Sequence, residues 1–484
     1  MPIAIPGLVW PVLAPMLIVT GAAVACLLLD LLPPLDRKGH LAAAGLVGLA
    51  GALVVSVILW GQPPARFQRM VALDDFALFF NAIFCVTTAL VLLLSIGYVR
   101  RQGVEAGEYY VLVLFAAVGM MLMASGLDLL VIFLGLELMS LSLYVLSGFF
   151  RTRASGNESA MKYFLLGAFA SGFFLYGIAL LYGATGTTNL GRLGALLAAP
   201  GAARDPLVLA GLGLLLVGFG FKTSAVPFHQ WAPDVYEGAP TTIAALIATG
   251  SKAAAFAALL RVLVSMRVLE PGWADYVWLA AVATMTLGNV IALVQGNLKR
   301  MLAYSSVAHV GYMLVGIAAG PERGAPAVVF YLVVYSFATV GAFGVILLLE
   351  REGVEAVNLD AYGGLSARHP ALALALTIFL LSLIGLPPTA GFVGKFYLFG
   401  AAIRGQLFAL AVIAVLNSVV AAYYYLRLVV YMYMRDAEGP EVRSALTPAA
   451  WVALAVSVWA TLHLGVLPGP AFAWAQRAIS PLLR

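Results

Sequence analysis

The sequence predicts an all-α polytopic membrane protein of about fourteen transmembrane helices, organised as two inverted five-helix repeats with added helices at either end. Three observations predict it. Of 484 residues, 63% are hydrophobic and only 10% charged, against roughly 25% charged in a soluble globular chain. Mean hydropathy is +1.01 over the whole length, which leaves no room for a sizeable soluble domain. Apolar runs of about 20 residues, enough to cross a bilayer as a helix, recur along the sequence.

In order, the spans fall at roughly 11–32, 40–60, 76–98, 109–124, 127–149, 160–183, 207–230, 240–264, 275–295, 299–318, 325–349, 371–402, 407–433 and 447–467. The opening "MPIAIPGLVWPVLAPML" lacks the basic leader of a cleavable signal peptide, so its apolar run reads as the first span. An even number of spans places both termini on one face. The basic pairs Arg37/Lys38, Arg100/Arg101, Arg151/Arg153 and Lys299/Arg300 then share the other face, opposed mainly by Arg66/Arg69. Lysine and arginine accumulate on the cytoplasmic side, so the termini are expected in the periplasm of a bacterial inner membrane. The tail "PAFAWAQRAISPLL" reads as an amphipathic helix along the interface.

Two spans are interrupted. In the seventh, "GFGFKTSAVPFHQW" puts polar residues and Pro227 at membrane depth; in the twelfth, "IGLPPTAGFVGK" does so with Pro387 and Pro388. Proline removes a backbone donor and breaks the helical ladder. Such backbone is tolerated in a bilayer only where protein buries it or it lines a wet cavity. Paired interruptions in two halves of a chain point to a transport site. The halves also align. At an offset of 168, Tyr144 meets Tyr312, Gly148 meets Gly316, Tyr163 meets Tyr331 and Phe169 meets Phe337; beyond the breaks the offset is 166, where Arg261 meets Arg427. The repeats are therefore spans 4–8 and 9–13, with the broken helices at spans 7 and 12. Five is odd, so the second copy enters from the opposite face. The expected divisions are 1–100 (three helices), 101–272 (first repeat), 273–436 (second repeat) and 437–484 (last span and tail).

A charged side chain at the centre of a membrane helix costs about 2.5–3.5 kcal/mol on insertion scales. This chain meets that cost repeatedly, with Lys222, Lys252 and Lys395 well inside apolar stretches and Glu137 in "VIFLGLELMSLSLY". Lys162 opens the sixth span, and His229 and His309 lie at or near membrane depth. The plainer readings differ by residue. Lys162 is near a helix end, where a lysine snorkels to the interface, and a histidine can merely satisfy a buried hydrogen bond. Arg261 and Arg427, toward span ends, are expected to snorkel. A structural role is harder to sustain for the three deep lysines, because Glu137 is the one carboxylate at comparable depth. Burial disfavours an ammonium and a nearby carboxylate favours it. A lysine beside a partner that moves can therefore load and release a proton. Histidine titrates near neutral pH and suits a relay. A sodium site would need several oxygen ligands, more than one deep carboxylate supplies.

Other functions are excluded on composition. The net charge of +5 is small and dispersed, with no patch for nucleic acid. Cys26 and Cys85 are too few for an iron–sulfur cluster and read as small buried hydrophobes. The five histidines (His40, His229, His309, His369 and His463) form no haem pair. No metal-ligand cluster appears. "GLGLLLVGFG" lies inside a membrane helix, where glycine serves close packing.

"GFGFKTSAVPFHQWAPDVYEGAPT" followed by "ATGSKAAAF", "NLKRMLAYSSVAHVGYML" and "SLIGLPPTAGFVGKFYLF" together resemble the antiporter-like membrane subunits of respiratory complex I. The resemblance covers nearly the whole chain. Three features resemble the N type in that family. These are the "WAPDVYEGAPT" wording, a lysine at 395 where the M type has glutamate, and an end after fourteen spans without the long lateral helix of the L type. The resemblance implies that Glu137 pairs with Lys222, that Lys252 is a central relay and Lys395 the exit-side group, and that Lys162, His229 and His309 support the hydrated axis. It implies NADH, FMN, iron–sulfur and quinone sites on other subunits and no cofactor on this chain. The implied partners are membrane-arm subunits of the M, K and J types, the lipid bilayer and protons. The alternatives are a subunit of a multisubunit Na⁺/H⁺ antiporter or membrane hydrogenase, and a structural subunit whose charges only lock helices together.

Overall fold

The structure, a computed structural model, describes residues 10–31, 38–104, 106–351, 354–436, 442–445 and 447–483. Arg37 of the basic pairs lies outside them. In hydrocarbon every backbone group must be satisfied within the protein, which selects helices, and the apolar runs form them. They are α1 (Trp10–Asp30), α2 (Gly39–Ile58), α3 (Asp75–Arg101), α4 (Gly107–Ser125), α5 (Leu129–Ser147), α6 (Ala154–Thr185), α7 (Leu190–Leu197), α8 (Pro206–Thr223) and α9 (Trp231–Gly238). Next come α10 (Thr241–Ser265), α11 (Glu270–Ala292), α12 (Leu298–Ala318), α13 (Pro321–Leu348), α14 (Pro370–Ile384) and α15 (Ala390–Arg404). The last are α16 (Phe408–Met434), α17 (Pro448–Val466) and α18 (Gly469–Leu483).

Among the described residues, thirteen helices have the length and hydropathy of a membrane span. The fourteenth expected span is the broken pair α14 and α15. Starts and stops follow local chemistry. Asp74, Asp128, Asp205 and Asn297 accept amide hydrogen bonds at the starts of α3, α5, α8 and α12, satisfying donors that the first helical turn leaves unpaired. Gly385, at φ 91°, ends α14, in a left-handed conformation that suits glycine.

Both interruptions occur where the prolines predict. The seventh span is α8, a loop over residues 224–230, and α9; the twelfth is α14, a loop over 385–389, and α15. At each break a side chain joins the backbone amides in satisfying the freed carbonyls. The Trp231 indole donates to Phe221 O at 2.9 Å, and Lys395 Nζ donates to Ile384 O at 2.8 Å. The amide of Val226, inside the first break, donates to Thr284 of α11 at 3.0 Å, tying the two repeats together. A third irregularity, unforeseen from the sequence, is a π-helical turn over Ile247–Ser251 inside α10, immediately before Lys252.

The inverted repeat is visible in matched backbone pairs. At the start of α5, Leu129 N bonds Thr188 O (3.0 Å) and Leu190 N bonds Leu127 O (2.9 Å). At the start of α12, Leu298 N bonds Val357 O (2.7 Å) and Leu359 N bonds Gly296 O (2.9 Å). Following the helices through the membrane puts these two junctions on opposite faces. The most enclosed spans are α10, α12 and α13, whose hydrophobic stretches are 100%, 89% and 89% buried. The site lies among them.

Some expectations are corrected. Among the described residues, five short strands were not foreseen: the hairpin β1 (Ala65–Phe67) with β2 (Val71–Leu73), and a sheet of β3 (Leu349–Arg351), β4 (Val354–Glu355) and β5 (Val442–Ser444) on the other face. Arg261 does not snorkel. Arg261 is 2% exposed, donates to Ala124 O at 2.9 Å, and forms two bonds to the Asp74 carboxylate at 2.9 and 3.0 Å. Arg427 donates to Leu293 O and Gln295 O just past α11. Each arginine thus caps the C-terminal end of the first helix of its repeat, where carbonyls are unpaired and the helix dipole is negative. The tail is the expected helix. It packs on α3 and α13 through Ala475, Ala478 and Ile479, and Arg477 reaches Asp75 at 3.1 Å.

Candidate functional site

Lys222, Lys252 and Lys395 are 2%, 1% and 4% exposed, and among the described residues each is held without a carboxylate in hydrogen-bonding contact. Lys222 occupies the last turn of α8. Its ammonium lies 5.1 Å from the Tyr144 ring, 5.2 Å from Tyr163 and 5.6 Å from Phe221, and donates to Tyr144 Oη at 3.4 Å. Trp231 stacks on Tyr163 at 4.5 Å and closes the cage. Aromatic faces attract cations through their quadrupole, by about 2 kcal/mol when desolvated. Glu137 lies two turns before Tyr144 on α5 and accepts from Ser171. The direct pair implied by the resemblance is not formed: no ion pair within 4.0 Å joins Glu137 and Lys222 among the described residues.

Lys252 follows the π-helical turn of α10. Its ammonium donates to Ser306 O at 3.1 Å and to Ser306 Oγ, with the Tyr236 ring at 6.0 Å. Tyr335 of α13 also donates to Ser306 Oγ, at 2.7 Å, and Tyr236 Oη lies 3.4 Å from it. One turn along α12, His309 is held between Tyr331 Oη at 2.7 Å and Tyr425 Oη at 3.2 Å; Tyr425 in turn bonds Ser305. Lys395, in α15, lies 4.5 Å from the Tyr312 ring. Tyr312 accepts from Asn289 at 3.0 Å, and Asn289 accepts from Tyr424 at 3.0 Å.

Lys222, Lys252, His309 and Lys395 thus lie along a buried run of hydroxyls and aromatic faces crossing both repeats. Tyr144 and Tyr312, matched at the 168-residue offset, each support a lysine from the broken span of their own repeat. Lys222 comes from before its break and Lys395 from after, so the lysines themselves escape the alignment. The supporting tyrosines Tyr163, Tyr236, Tyr331, Tyr335 and Tyr425 and the serine Ser306 were not singled out as site residues. The signal was present for Tyr144, Tyr163, Tyr312 and Tyr331, which match across the repeats, but it served only to set their register.

The other two expected residues stand apart. Lys162, whose side chain is 42% exposed, pairs with Glu158 and Asp234 at 2.7 Å each. Asp234 also pairs with Arg300 at 2.8 Å, and Arg300 with Glu237 at 2.7 Å. This places Lys162 in a rim network at the end of the axis. His229 lies in the break after α8, partly exposed, with its Nδ1 buried. Among the described residues no group of three or more His, Cys, Asp or Glu could hold a metal ion.

Residues 126–421 match the family described as "NADH:quinone oxidoreductase/Mrp antiporter, TM". NADH-quinone oxidoreductase subunit N of Trichlorobacter lovleyi is 47% identical over 97% of this chain and 96% of its own. A chain of respiratory complex I from Thermus thermophilus superimposes with a TM-score of 0.81 at 40% identity, covering 95% of this chain and 98% of that one. A chain of the Mrp complex from Dietzia shares the fold, with a TM-score of 0.78 at 23% identity over 98% and 96% of the two chains. The buried lysines, the two broken spans and this near full-length likeness converge, and the chain belongs to the antiporter-like membrane subunits of NADH–quinone oxidoreductase, in their subunit N branch.

Proposed function

We propose that the chain carries one proton route through the membrane arm of NADH–quinone oxidoreductase, driven by quinone reduction elsewhere in the complex. Glu137, Lys222, Lys252 and Lys395 carry the proton, and Lys162, His229 and His309 support them. The observation that carries this reading is the burial of three lysines with π-faces, hydroxyls and carbonyls but, among the described residues, no carboxylate against their ammonium groups. A lysine permanently charged for structural reasons would be matched by a carboxylate, because an uncompensated buried charge is strongly destabilising. In the cycle, an electrostatic or conformational signal changes the Glu137–Lys222 separation and with it the proton affinity of Lys222. The proton then passes through Lys252 and His309 to Lys395 and out. Coulomb energy varies inversely with distance and rises in low dielectric, so a displacement of a few ångströms suffices.

The reading extends to organisation. The chain holds no redox cofactor, and NADH, FMN, iron–sulfur and quinone chemistry belong to other subunits. It divides at residues 1–100, 101–272, 273–436 and 437–484, in a bacterial inner membrane with both termini periplasmic. Its partners are membrane-arm subunits of the M, K and J types. A covering partner suits the flank around Glu137. The carboxylate lies mid-helix beside Leu134, Leu141 and Val145, which are 62%, 53% and 57% exposed, and a charge facing lipid at that depth is costly. The test is Lys222→Ala in the native complex, scoring assembly, NADH–quinone turnover and proton pumping together. The expected result is an assembled complex in which turnover and pumping both collapse. Wild-type turnover and pumping would make the buried lysines structural.

A further inference from the structure

We propose that Ser306 is the relay hydroxyl through which Lys252 exchanges its proton. The inference rests on the reading of Lys252 as a proton carrier. Among the described residues, Lys252 Nζ makes hydrogen bonds only to Ser306, one to its carbonyl and one to its hydroxyl. A carbonyl accepts a hydrogen bond but has no proton to pass on. The hydroxyl can accept one proton and release another, so a protein group that relays for Lys252 is Ser306 Oγ. Both residues are 1% exposed.

The hydroxyl is also a branch point. It has one proton and two lone pairs. With Lys252 charged, the lone pairs take hydrogen bonds from Lys252 and Tyr335, and the proton points to Tyr236, 3.4 Å away. With Lys252 neutral, the amine offers a lone pair and the serine proton turns to it. Tyr236, on α9, faces the Lys222 cage through Trp231, at 6.3 Å between ring centroids. Tyr335 faces His309, at 5.2 Å. Ser306 therefore joins an inward and an outward arm.

Each arm balances. In loading, the Ser306 O–H breaks as a new N–H forms on neutral Lys252. The Tyr236 proton moves to Ser306 Oγ, and a hydrated proton on the Lys222 side restores Tyr236. In unloading, a Lys252 N–H breaks as O–H forms on Ser306. The original serine proton passes to Tyr335 Oη, whose own proton has turned away and leaves through water toward His309.

The test compares Ser306→Thr with Ser306→Val in the assembled complex, beside Lys252→Ala, with Ser336→Ala as a control. Ser336 is buried on α13 but bonds the carbonyl of Leu332 in its own helix. Threonine and valine match in shape, so a packing role treats them alike. The relay predicts turnover near wild type for threonine and a loss of about tenfold or more for valine, the scale of a positioned proton-transfer group. It also predicts a larger solvent isotope effect in valine. Equal turnover for threonine and valine with Lys252→Ala inactive overturns the relay and leaves the lysine path standing, with water as the carrier. Wild-type turnover in Lys252→Ala as well overturns the path itself.

Discussion

Removing the carboxylate of Asp74 should destabilise the fold severely, and removing its partner at the same time should restore part of the loss. Arg261 is 2% exposed and its guanidinium makes two parallel bonds to Asp74, at 2.9 and 3.0 Å, with the Phe76 ring 4.9 Å away. Breaking a buried pair by deleting one partner leaves an uncompensated charge and costs about 3–5 kcal/mol. Asp74→Asn isolates this term, because asparagine keeps an oxygen to cap α3 through the Ala77 amide, at 2.8 Å in the wild type. The double substitution Asp74→Leu with Arg261→Leu removes both charges. Apolar replacement of a buried pair is often neutral or better, so the double variant should lose the cap of α3, about 1 kcal/mol, and the Arg261 bond to the Ala124 carbonyl, about 1 kcal/mol more. The assay is the thermal midpoint of the solubilised complex and the amount assembled, with turnover normalised to assembled complex. Turnover per complex should stay unchanged, since Arg261 anchors the far end of α10, away from Lys252. A double variant no more stable than Asp74→Asn would refute the reasoning, as would an Asp74→Asn chain of wild-type stability.

Tyr144→Phe should leave turnover near wild type and Tyr144→Leu should lower it severalfold, because the 3.4 Å hydroxyl bond to Lys222 is long while the ring at 5.1 Å holds the cation; steady-state turnover of the two variants decides. Lys162→Ala should reduce turnover by less than about twofold, far less than Lys222→Ala, since exposed ion pairs contribute little and Asp234 keeps Arg300; a loss matching that of Lys222→Ala would move Lys162 into the obligatory path. Glu355→Ala should loosen the joint between α9 and α10. Its side chain is 7% exposed, and it accepts from Tyr98 at 2.6 Å and Thr241 at 2.5 Å, 3.9 Å from Lys299. Stranding those donors costs about 1–3 kcal/mol, read as faster hydrogen exchange over residues 239–245.

Fourteen spans, their order and both breaks were legible in the sequence, because each depends on a contiguous stretch. Apolar length decides whether a helix crosses, and proline in an apolar run decides where it breaks. The identity of the costly residues was legible for the same reason: Lys222, Lys252 and Lys395 stand out against what surrounds them in the chain. Repeat register was readable from Tyr144 against Tyr312, at an offset of 168, and the paired junctions at residues 127–129 and 296–298 fall one residue from it, at 169. Less legible were the short strands, whose few residues leave no period to detect, and the π-helical turn, which has no residue signature.

What the sequence by itself determined is the cost: which charges enter the membrane and on which helices. What only the tertiary structure decided is how each cost is met. Arg261 looked free to reach the interface, yet Asp74, 187 residues earlier, holds it buried. Lys222 and Glu137 looked like a pair, yet among the described residues no direct ion pair joins them and a cage of rings holds the cation. Lys252 meets Ser306 across 54 residues, and His309 meets Tyr425 across 116. These partners come from helices distant in sequence. A hydrogen bond or a cation–π contact depends on separations of a few ångströms in space, and chain position carries no such distance until the helices have packed.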